Sequence, residues 1–201
     1  MVFPKIKGIA IGIIIVLIQL WLYINADYVY GSYAETVRNV MLAYFILLAL
    51  LSPFVIKVLM GISINDIPNF TITFIITAII MFAIGTITTL WTGELEAGLK
   101  VAFGFGFLHS LVKAFNEEVI FRGVMPQFFG KGYIADIISS VAFGVFHVAV
   151  TGGAWTAIIF LSALGFIWTM VKNKFGVMGS TGSHFAYNLS VLGVLPKLLG
   201  G

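Results

Sequence analysis

Residues 116–122 read Asn116-Glu117-Glu118-Val119-Ile120-Phe121-Arg122, two carboxylates and a guanidinium set in a stretch whose surroundings are almost wholly apolar. The apolar run that holds them, 98–123, has about the 20 residues that a helix needs to cross the hydrocarbon of a bilayer. The rest of the chain has the same character. Of 201 residues, 60% are hydrophobic and 9% are charged, and the mean hydropathy is +1.09. A soluble domain carries roughly a quarter charged residues, so this chain cannot wet its whole surface and needs lipid around it.

Seven apolar stretches fit this reading, at 8–26, 39–60, 70–92, 98–123, 134–150, 154–172 and 178–199. They are apolar all round, whereas barrel strands alternate, so the expected fold is all-α: a polytopic transmembrane bundle of about seven helices. The first stretch ends at Ile24-Asn25-Ala26-Asp27 without a small-x-small cleavage pattern and reads as a span. Cations fall mostly on one side: Lys5, Lys7, Lys57, Arg122, Lys131, Lys172 and Lys174, against Arg38, Lys100 and Lys197. That bias predicts a multi-pass protein with a cytoplasmic N-terminus. The net charge of +3 comes with no basic cluster, so nucleic acid is not an expected partner; the bilayer is. With no cysteine, disulfides and thiolate chemistry are excluded.

The charges divide the chain. Residues 1–97 keep theirs in loops and carry no readable chemistry, while residues 98–201 place ionisable groups inside apolar helices, where each costs several kcal/mol unless paired. On a helix Glu118 and Arg122 stand at i, i+4 and neutralise one another. Glu117 points about 100° away, without that partner. Glu117 lies 15 positions before Gly132 and His147 lies 15 after it, so a hairpin turning near 130–132 brings both to one depth. His184 and Asn188 again share a face at i, i+4, preceded by the small residues Gly179-Ser180-Thr181-Gly182-Ser183, suited to close helix packing. His109 reads as an interhelical hydrogen-bond donor, and Lys113 as a counter-charge for Glu117. Gly104-Phe105-Gly106 is packing, because no strand precedes it. The expectation is that Glu117, His147, His184 and Asn188 converge on one hydrated cavity toward the cytoplasmic side.

A carboxylate and a histidine flanking a water form a general-base pair, and a second histidine with an amide N–H can receive a developing oxyanion. Glu117, His147 and His184 can equally be read as three Zn²⁺ ligands with one position open for water. A proton or cation pathway through the same groups and a non-catalytic scaffold are the other readings. His-Glu-x-x-His, Gly-x-Gly-Asp and Gly-x-Ser-x-Gly are all missing.

Glu117-Glu118…Arg122, then Phe143…His147, then His184…Asn188, in that order on late helices, resembles the CAAX protease and bacteriocin-processing (Abi) family of intramembrane endopeptidases. The resemblance covers residues 117–188. It implies an active site between the C-terminal helices and cleavage of membrane-associated peptides or prenylated proteins. By motif position Glu117 and His147 activate the water, His184 and Asn188 form the oxyanion hole, and Glu118 and Arg122 support them. The family has been described as both glutamate- and metal-dependent, so the resemblance leaves zinc open.

Overall fold

A computed structural model describes residues 3–92, 105–130, 132–148 and 153–192, all helix and turn with no strand among them. The elements are α1 (Phe3–Ile24), α2 (Ala26–Tyr30), α3 (Ala34–Leu50), α4 (Ser52–Gly61), α5 (Ile67–Thr92), α6 (Phe105–Glu117), a π-helical stretch Glu118–Val124, α7 (Pro126–Phe129), α8 (Tyr133–Phe146) and α9 (Trp155–Leu192). Short 3₁₀ turns join α2 to α3 and lead into α5.

The distribution of side chains is inverted relative to a soluble fold. Ile79 and Phe82 on α5 are 62% and 68% exposed, whereas Gln19, Glu117, Glu118 and Thr181 are fully buried. In water this arrangement would lose on both counts. In lipid the outer apolar face costs nothing, and the polar groups pair inside. The apolar helices thus mark a membrane protein.

By length and composition, Ile67–Ile84 and Trp155–Ser190 are each able to cross a membrane, and the bent pair α3–α4 is a third candidate. Among the described residues these are the stretches long and apolar enough to do so. The expected span 39–60 is bent by 87° between Leu50 and Ser52. Pro53 stands in the first turn of α4, where it lacks the N–H to bond back into α3 and its ring collides with the preceding turn. The expected span 98–123 is α6 followed by the π stretch, and α8 covers 133–146 of the expected 134–150. Residues 98–104, 149–150 and 193–199 of the expected spans lie outside the described residues.

The expected pair 154–172 and 178–199 meets at Gly176, whose φ of 75° is a left-handed conformation inside α9. The chain folds back there. Trp168 and His184 stack at 3.8 Å between ring centroids, whereas 16 residues of unbroken helix would hold them about 24 Å apart. Glycine is the residue that takes this φ without steric cost.

Helices pack through small residues. Thr73 on α5 donates to the Gly179 carbonyl at 2.7 Å, and the Thr77 and Ser183 hydroxyls meet at 2.8 Å. A Cβ on Gly182 would collide with the Phe70 carbonyl oxygen and lie 2.8 Å from Thr73 Oγ1. The small run at 179–183 is thus the α5 contact, as its composition predicts. Gly182→Val is expected to destabilise the fold by about 1–3 kcal/mol through overpacking, while Gly61→Ala, with nothing within 4 Å of its added Cβ, stays within about 0.5 kcal/mol. Thermal unfolding of the two variants in detergent checks this; equal midpoints would contradict it.

Candidate active site

Glu117 closes α6, and the backbone then loosens into a π-helix: the Met125 N–H donates to the Ile120 carbonyl, five residues back, at 2.8 Å. Within this stretch Arg122 Nη1 lies 3.6 Å from Glu118 Oε1, with both side chains fully buried. The i, i+4 pair read from the sequence is present. Arg122 also donates from Nη2 to the Gly165 carbonyl at 3.0 Å, and its guanidinium sits 4.4 Å over the Phe143 ring. One cation therefore ties the π stretch to α8 and α9.

Glu118 does more than neutralise Arg122. Its Oε1 accepts from His184 Nδ1 at 2.9 Å, while the stack on Trp168 fixes the imidazole plane. Held this way, His184 turns Nε2 toward Glu117 Oε2 at 3.3 Å. The sequence reading gave the two glutamates separate surroundings; the structure places His184 between them.

His147 caps the end of α8. Its Nδ1 is 2.8 Å from the Phe143 carbonyl oxygen, which only accepts, so Nδ1 carries a hydrogen and donates it there. Its Nε2 lies 3.6 Å from Glu117 Oε1. The expected meeting of Glu117 and His147 at one depth is found.

Glu117 has further partners. Besides the two histidines, Lys113 Nζ lies 3.9 Å from Oε1, and the Tyr44 hydroxyl of α3 donates to the same oxygen. Lys113 is the counter-charge expected. Tyr44 was missed, since nothing local to residue 44 announces a partner 73 positions away. Asn188 stands one turn beyond His184, and its Nδ2 is buried with no hydrogen-bond partner among the described residues. His109 lies one turn before Lys113 on α6.

Among the described residues the groups around Glu117 are closed off. Glu117, His184 and His147 are 0%, 2% and 7% exposed. A cavity of about 900 Å³, lined among others by Lys57, Asp66, Asp136 and Lys172, reaches Arg122 but stops short of Glu117. Nor do the residues fit a metal ion: no group of three His, Asp or Glu among those described is arranged to hold one. His147 and His184 approach different oxygens of Glu117.

Burial of the Glu118–Arg122 pair predicts strong coupling. Arg122→Met alone strands a buried carboxylate and is expected to cost about 3–5 kcal/mol. Adding Glu118→Gln removes that charge, so the double variant should melt above the single one. A double variant melting at the sum of the two losses would show the pair is not coupled.

Comparison with curated proteins and with solved structures finds no match. A family model does match. Residues 99–190, which contain every motif residue above, match the family described as type II CAAX prenyl endopeptidase Rce1-like.

Proposed function

We propose that the chain is an intramembrane endopeptidase that hydrolyses membrane-associated peptides with a water activated by Glu117 and His147. The observation that carries this reading is the buried Glu117 carboxylate flanked by two histidine Nε2 atoms, at 3.6 Å from His147 and 3.3 Å from His184. A structural ion pair needs one partner; a buried carboxylate flanked by two imidazoles suits removal of a proton from water.

The catalytic water lies between Glu117 and His147. Its proton passes to that pair, and the oxygen attacks the scissile carbonyl. The oxyanion is received by His184 Nε2 and Asn188 Nδ2. Donation from Nε2 while Nδ1 is engaged by Glu118 requires the ring to carry both protons. The unpartnered buried Nδ2 of Asn188 supports its role, because a buried donor left unsatisfied costs free energy that an oxyanion would recover. The proton held by Glu117 and His147 then goes to the leaving amine. Glu118 and Arg122 hold His184 and the helices in register.

In this reading residues 98–201 carry the chemistry, residues 1–97 complete the bundle of about seven helices, and the N-terminus is cytoplasmic. The site lies between the C-terminal helices. The closed cluster opens toward the cavity at Arg122, whose lysines lie on the same cytoplasmic side. Substrates are membrane-borne: CAAX-type prenylated C-termini or leader peptides of the bacteriocin kind.

Glu117→Gln is expected to abolish hydrolysis of a farnesylated peptide in proteoliposomes without lowering the melting temperature. Asn188→Ala should lower kcat about 10²–10³-fold, the effect of losing one oxyanion donor. Wild-type turnover by Glu117→Gln would refute the reading.

A further inference from the structure

Tyr44 lies on α3, in the half of the chain that carries none of the motif residues, yet it is 3% exposed and its hydroxyl donates to Glu117 Oε1. Its ring rests against Phe146 of α8, with centroids 5.8 Å apart. A second buried chain of bonds fixes the helix that presents it. Gln19 Nε2 of α1 donates to the Met41 carbonyl at 3.0 Å, one turn before Tyr44. Gln19 Oε1 accepts from Asn116 Nδ2 at 2.7 Å, and Asn116 is the residue before Glu117. The path Glu117–Tyr44–Met41–Gln19–Asn116–Glu117 is a closed loop through α6, α3 and α1.

We infer that Tyr44 is a positioning residue for the general base: its hydroxyl fixes the rotation of the Glu117 carboxylate and is itself held in place by Gln19 and Asn116. This rests on Glu117 acting as the base. A carboxylate on a flexible side chain presents either oxygen in many directions, and a donor on one oxygen selects one of them. With Tyr44 on Oε1, Oε2 is turned to His184 and the edge of Oε1 to His147. Small misplacements of a reacting group have large kinetic costs. The two amides matter because a phenol on an unanchored helix would follow the carboxylate rather than set it. Both are nearly inaccessible, Gln19 at 0% and Asn116 at 1%, and each has its hydrogen bond within the loop.

The test uses the full-length protein in proteoliposomes with an internally quenched farnesylated peptide, rates being expressed per folded enzyme. Tyr44→Phe keeps the ring and removes only the hydroxyl. The expected result is a fall in kcat of about 10–100-fold, the worth of one hydrogen bond to a charged group, at unchanged KM and with a smaller loss of melting temperature than Tyr44→Leu. Tyr44→Leu, which also loses the ring packing, is expected to show the same kcat loss together with a lower melting temperature. Wild-type kcat in Tyr44→Phe while Glu117→Gln is inactive would overturn the role of Tyr44 and leave the base assignment standing. A raised KM at wild-type kcat would also overturn it, making Tyr44 a substrate contact. Activity in Glu117→Gln would remove both.

Discussion

A carboxylate with no exposed surface, inside helices whose outer faces are isoleucine and phenylalanine, sets the terms for the rest of the molecule. Water does not solvate Glu117 in this closed arrangement, so protein groups must do it. The groups come from α3, α6, α8 and α9: Tyr44, Lys113, His147 and His184. Glu118 raises the same demand one residue later and is met by Arg122 and His184. Because no single helix can supply these donors, the bundle is fixed by where they must meet. Packing glycines then let the helices approach closely enough to do so.

The sequence made legible what depends on neighbours a turn apart. Glu118–Arg122 follows from helix periodicity, and the approach of Glu117 to His147 follows from symmetry about the turn near Gly132. The small run at 179–183 was read as a packing face and packs on α5. What escaped was of two kinds. Long-range partners such as Tyr44–Glu117 and Gln19–Asn116 leave no local trace, since a tyrosine or glutamine in an apolar helix carries no mark of its partner's place. Backbone departures were the other kind. Pro53, near the middle of an apolar run, did break the span, and the π-helix beginning at Glu118 has no compositional signal. An α-helical wheel therefore assigned Glu117 and Glu118 to separate surroundings, although His184 contacts both.

The arrangement also orders the roles around the reaction centre. His147 is held by a backbone carbonyl, which commits its Nδ1 hydrogen and turns Nε2 toward Glu117. His184 is held by a carboxylate and an indole face, which fix its ring plane. The two histidines thus meet one carboxylate from differently anchored settings, which suits the separate roles proposed for them. The cavity bounded by Lys57 and Lys172 reaches Arg122, the partner of Glu118.

The absence of cysteine makes the central claim, convergence of α6, α8 and α9 on Glu117, directly measurable. Paired substitutions Glu117→Cys with His184→Cys, and Glu117→Cys with His147→Cys, can be treated in native membranes with a short bifunctional thiosulfonate and examined by intact mass. Asp27→Cys with Arg38→Cys, replacing a surface ion pair, serves as the positive control. The account predicts an intramolecular cross-link in both site pairs. Free, singly modified thiols in both, beside a cross-linked control, would contradict it.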